Sequence, residues 1–142
     1  MPSAEEHRAA RTNLEFFLKA VDYPERIPDG AVSFTMRVDG MEVRAEETGD
    51  GIILSAVLTG DEALLPTLAT YAAGRMLRED ATLSWDGGAI LWQPVPADPD
   101  GRAMRRAFEA FMDSCDWWRA RVEALEDNAV GETPPETMMI RP

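Results

Sequence analysis

Between Ala31 and Leu58 the chain alternates apolar and polar residues through three runs, and the turns between the runs agree with the alternation. Val32, Phe34, Met36 and Val38 alternate with Ser33, Thr35 and Arg37; Met41, Val43 and Ala45 alternate with Glu42, Arg44 and Glu46; Ile52 to Leu58 follows. A period of two belongs to strands. Asp39-Gly40 has the composition of a two-residue type I′ turn, which sets Val38 opposite Met41, Met36 opposite Val43 and Phe34 opposite Ala45. All six are apolar, whereas Arg37 meets Glu42 and Ser33 meets Glu46 on the other face. A second turn centred on Gly49-Asp50 continues the dry face with Ala45 opposite Leu54, Val43 opposite Ala56 and Met41 opposite Leu58. A slip of one residue would turn each apolar set outward, so the pattern specifies its own register.

The third strand differs from the first two. Its second face carries Ile53 and Val57, and a strand apolar on both sides is ordinarily covered on both sides. A helix of the same chain is the expected cover, with a partner as the alternative.

Helical segments flank this meander. A first helix is expected from Ala4 to about Val21, opened by the capping-box spacing of Ser3 and Glu6, with Leu14, Phe17, Leu18 and Val21 on one stripe. Tyr23-Pro24 and Ile27-Pro28 end it. A second helix is expected from Asp61 to Arg78, with an irregular lead-in before Pro66 and a stripe of Leu64, Leu65, Leu68, Tyr71, Ala72 and Met76. Ala72-Ala73-Gly74 leaves room for close approach of another element. A hairpin follows from Ala81-Trp85 through Asp86-Gly87-Gly88 to Ala89-Gln93, its register open between two-residue and three-residue loops and its end set by Pro94 and Pro96. In the last helix Met104, Phe108, Phe111, Cys115, Trp118, Val122 and Leu125 recur at alternating spacings of four and three, a stripe suited to covering a sheet. From Glu126 the chain turns polar and reads as a flexible tail with a small Met138-Met139-Ile140 tip. The fold expected is α+β, an antiparallel sheet with helices packed on it, with residues 1–125 as one domain and 126–142 as an acidic tail.

The 142 residues are enough for one core, and 45% are hydrophobic. No apolar run approaches the ~20 residues that cross a bilayer, and the polar N-terminus lacks the apolar stretch of a secretion signal, so a cytoplasmic protein is expected. The net charge of −12, from 26 acidic and 14 basic residues, opposes binding to nucleic acid and to anionic membranes. Cys115 is the only cysteine and His7 the only histidine, so no disulfide, thiolate zinc site or histidine-based triad is expected. The acidic pairs Glu46-Glu47 and Asp98/Asp100 lack calcium-loop spacing. The Gly-containing turns lack the Lys-Ser/Thr of a phosphate loop. No enzyme, cofactor or metal is expected.

The order helix, three strands, helix, two strands, helix resembles the class I chaperones of bacterial type III secretion, the Tir-chaperone family. The likeness is carried by Asp29-Gly30 through Leu58-Thr59-Gly60, by Leu64 to Met76 followed by Ala81-Thr82-Leu83-Ser84-Trp85, and by the last helix with Phe111, Trp118 and Arg119. Tyr71-Ala72-Ala73-Gly74 stands where the family often has an Asn. The resemblance implies a homodimer that holds the extended N-terminal segment of a secreted effector. It implies a dimer interface at Leu64, Leu68, Tyr71, Ala72, Arg75 and Met76. It implies effector contacts at Leu14, Phe17, Leu18, Phe34, Met36, Ile53 and Val57. An acidic immunity or regulatory protein that caps a folded basic partner would carry the same charge; such a protein needs a folded target, whereas a chaperone takes an unfolded segment.

Overall fold

The alternating runs become strands β1 (Ser33–Val38), β2 (Met41–Thr48) and β3 (Gly51–Thr59). The structure, a computed structural model, describes residues 12–139 other than 26, 29, 76 and 99, with side chains described through residue 128. Helix α1 (Asn13–Ala20) precedes the meander. A 3-10 turn (Glu62–Leu64) and helix α2 (Leu65–Arg75) follow it. The hairpin β4 (Thr82–Trp85) and β5 (Ala89–Pro96) leads to helix α3 (Arg102–Met139). The five strands form one antiparallel sheet in the order β1-β2-β3-β5-β4.

The first hairpin has the expected register in all six pairs, from Ser33 opposite Glu46 to Val38 opposite Met41. Asp39 and Gly40 take φ of 51° and 78°, the left-handed pair a type I′ turn requires. β2 and β3 pair as expected from Thr48 with Gly51 as far as Arg44 with Ser55. The further pairs, Val43 with Ala56 and Met41 with Leu58, are not made. β3 bulges between Val57 and Thr59 toward β5, and a bulge bends and twists its strand.

The second hairpin closes with Trp85 opposite Ala89, so its loop has three residues. β5 runs past the expected stop at Gln93, through Pro94 and Pro96. The physical reason is the direction of their missing donors. The Ala97 N–H bonds the Asp50 carbonyl at 3.0 Å, and hydrogen-bonding direction alternates along an antiparallel strand. Residues 94 and 96 therefore turn their nitrogens away from β3, where β4 has already ended at Thr82. Proline is tolerated where no neighbour needs its N–H.

The expected helix start at Ala4, the Ser3–Glu6 box and His7 lie outside the described residues. Within them, Thr12 is extended and its hydroxyl accepts from the Glu15 N–H at 3.1 Å, so α1 begins at Asn13. The Glu47 carboxylate of β2 accepts from the Leu14 N–H at 3.0 Å and the Asn13 amide at 2.9 Å, pinning the helix to the sheet. Asp61 caps the 3-10 turn ahead of Pro66, as the irregular lead-in anticipated. α3 continues without a break across Leu125 and Glu126, where the tail is expected to begin. Glu126, Asp127 and Asn128 are helical and exposed, and the Met138-Met139-Ile140 tip lies outside the described side chains.

The core lies between one face of the sheet and helices α1 and α3. Met36, Val43, Ala45, Ile52, Leu54, Leu91 and Val95 supply the sheet side. Leu14, Phe17 and Leu18 come from α1, and Met104, Phe111, Cys115, Trp118 and Val122 from α3. The stripe of the last helix is thus buried as its spacing requires, with Phe108 and Leu125 half-buried at its margins.

Candidate polypeptide-binding surface

α2 joins α1 and α3 on the core side of the sheet, because its Tyr71 and Arg75 pack on Trp117 of α3. Among the described residues no helix covers the opposite face, and the expected intramolecular cover of β3 is not there. Register determines what this open face carries. Ile53 lies opposite Pro94, Ser55 opposite Trp92 and Val57 opposite Ile90, while Thr82 and Ser84 of β4 lie beyond Trp92 and Ile90. None of these side chains is buried, and Val57 is 65% exposed. The Trp92 indole N–H donates to the Ser84 hydroxyl at 2.8 Å, tying the side chain to β4. The β1–β2 half of the same face is charged, with Arg37 paired to Glu42 and Arg44 to Glu46. The face is therefore divided lengthwise into an apolar strip on β3 and β5 and a charged strip on β1 and β2.

A groove of about 650 Å³ opens where β2 and β3 part, with Thr35, Arg44, Ser55, Val57 and Ile90 on the open face and Arg119 and Val122 of α3 at its far end. Among the described residues two edges of the sheet are unpaired, since β1 bonds only β2 and β4 bonds only β5.

The residues that the family resemblance assigns to effector binding separate into two groups. Leu14, Phe17, Leu18 and Met36 are core side chains closed in by α3, and they offer no surface to a ligand. Phe34 is half-buried against Tyr23. Ile53 and Val57 lie on the open face. The dimer candidates separate in the same way. Leu64 and Leu68 are buried within the subunit; Tyr71, Ala72 and Arg75 are half-buried; Met76 lies outside the described residues. Ala69, Thr70, Ala73 and Gly74 form the exposed side of α2.

A second polar centre underlies α2. Glu79 accepts hydrogen bonds from the Arg75 guanidinium at 2.9 Å, the Ser114 hydroxyl at 2.8 Å and the Trp118 indole N–H at 3.1 Å. Burial alone would raise its pKa, but these three donors and the Arg75 charge outweigh burial and hold it below the ordinary glutamate value. Burial, reinforced by the neighbouring Asp116, pushes the Cys115 thiol up to about 12, so at neutral pH it is a protonated core side chain. Among the described residues, no three His, Cys, Asp or Glu side chains are grouped to hold a metal ion, and no helix is long and apolar enough to cross a membrane.

A comparison with protein-family models and a search of curated proteins find no match to this chain.

Proposed function

We propose that this chain is a non-catalytic secretion chaperone of the Tir-chaperone kind, which binds the extended N-terminal segment of a type III effector and keeps it soluble in the cytoplasm. One observation carries the reading: among the described residues the three helices lie on one side of the sheet, leaving Val57 exposed and Ile53, Ile90 and Trp92 half-buried beside it on the other. An extended chain alternates its side chains, so it can seat every second residue on such a strip. Its backbone can pair with a free sheet edge. The surplus of negative charge keeps copies with exposed apolar surface from clumping. The protein acts as a homodimer in this proposal, joined through Tyr71, Ala72 and the exposed small residues of α2 beside β4, with Leu64 and Leu68 anchoring the helix inside each subunit.

The test pairs sedimentation equilibrium at micromolar protein with capture of clients from a native lysate. The expected result is a dimer that retains an effector through a segment near its N-terminus, and Val57→Asp with Trp92→Ala releases that effector without unfolding the chaperone. A strict monomer, or a client retained only as a folded basic domain, would replace this proposal with the immunity-protein reading.

A further inference from the structure

Helix α2 is attached to the subunit differently from its neighbours. α1 and α3 lay continuous apolar stripes on the sheet, whereas Leu68 is the one fully buried side chain described on α2. α2 rests on the turn before it and on the edge strand β4. Its remaining attachment runs through long polar and aromatic side chains at its C-terminal end. The Arg75 guanidinium lies 3.8 Å from the centre of the Trp117 ring, and Tyr71 meets that ring edge-on at 6.1 Å. Four residues after Arg75, Glu79 draws Arg75 to Ser114 and Trp118 of α3 with a side chain only 8% exposed. Among the described residues the buried Arg75 Nε has no acceptor, and the Glu79 carboxylate and the Trp117 ring hold this guanidinium in place.

We propose that α2 is a hinged strap with Glu79 as its latch, and that α2 opens as a unit and uncovers the edge strand β4 while the rest of the sheet and α3 stay folded. Three donors from two helices meet at one carboxylate, so its loss frees the two helices from each other. Hydrogen bonds to a charged group are stronger than neutral ones, and a helix with a single deep anchor depends on them to stay docked. Elements with few buried apolar contacts open below the global unfolding free energy. Leu83 and Trp85, on β4, the strand that α2 contacts, are half-buried against the core. Opening therefore widens access to these side chains and to the unpaired edge of β4 beside them. The inference is argued from the contacts of one subunit alone.

Native-state hydrogen exchange on the full chain tests it, comparing the unaltered protein with Glu79→Gln and with Glu109→Gln, an exposed site on α3, at one protein concentration. Amides of residues 65–75 should exchange by an opening distinct from that of β3, β5 and residues 111–118. Glu79→Gln should speed that opening roughly tenfold or more, the equivalent of a lost charged hydrogen bond, and leave the sheet and α3 protected. Glu109→Gln should change nothing. Ser114→Ala removes one donor at lower cost and should give the same selective effect, which keeps the test decisive if Glu79→Gln does not fold. Uniform exchange of α2, sheet and α3 in the unaltered protein, or equal acceleration of all three by Glu79→Gln or Ser114→Ala, would overturn the strap.

Discussion

Phe17 and Val57 share an assignment by family resemblance, yet the structure gives them opposite physical roles, and truncating each to alanine separates the two. Phe17 has no exposed surface and meets Phe108 edge-on with ring centres 5.6 Å apart. Phe17→Ala removes a fully buried ring and leaves a cavity between α1, α3 and the sheet, a loss of about 3–5 kcal/mol. With a urea dependence of ~2 kcal/mol per molar, that lowers the unfolding midpoint by roughly 2 M. Val57 keeps 65% of its surface in water, so Val57→Ala changes stability by no more than ~0.5 kcal/mol, a midpoint shift near the limit of detection. Urea unfolding followed by tryptophan fluorescence reads both, and effector retention read on the folded variants should fall for Val57→Ala. Equal midpoint shifts would refute the burial argument, because they would mean α1 is not packed into the core. A Phe17→Ala protein of unaltered stability that loses its client would restore Phe17 to the binding surface.

Three further outcomes follow from close contacts and buried groups. Gly51 starts β3 where a Cβ would strike the Val95 carbonyl of β5, so Gly51→Ala should force the central strands apart and cost at least ~1–3 kcal/mol, read as a lower thermal midpoint. Glu79 has a folded pKa below its unfolded value; its stabilisation is whole above the unfolded value and is lost as pH falls through the folded one. Glu79→Gln should therefore flatten part of the acid limb of a pH–stability profile. The Cys115 thiol behaves in the opposite sense. With its pKa pushed up to about 12, its contribution is intact below the unfolded cysteine value of about 8.5 and declines above it as the unfolded chain loses the proton first. Cys115→Ala should remove that alkaline decline, and a disulfide-exchange reagent should reach the thiol only on unfolding.

The fold was legible wherever a short-range rule sufficed. Asp39-Gly40 admits one turn geometry, and the six pairs of the first hairpin follow from it by counting. The last helix was legible because a stripe from Met104 to Val122 has no alternative to burial. Counting failed where one strand answers to two neighbours. Pairing of β2 with β3 ends at Arg44 because β3 also bulges toward β5, a partner 30 residues or more further along the chain. Pro94 and Pro96 read as a stop because whether a missing N–H matters depends on where β4 ends. Glu79, between Arg78 and Asp80, carries no sign in the sequence that three donors from two helices converge on it.

The candidate surface was half legible for the same reason. Ile53 and Val57 stand out within β3 because they break its alternation. Ile90 and Trp92 could not be added to them while the loop of the second hairpin was open between two lengths, since a change of one residue moves a strand's whole set to the other face. The three-residue loop resolves this: Trp85 opposite Ala89 places Leu91 and Val95 in the core and Ile90 and Trp92 outside. An apolar strip on an otherwise charged face then becomes a property of two strands rather than of one. That distinction bears on function. A single exposed valine on a sheet needs no explanation. Four apolar side chains from the adjacent strands β3 and β5, Val57 exposed and Ile53, Ile90 and Trp92 half-buried, one of them a tryptophan anchored by its own hydrogen bond, call for the explanation that the proposed function gives.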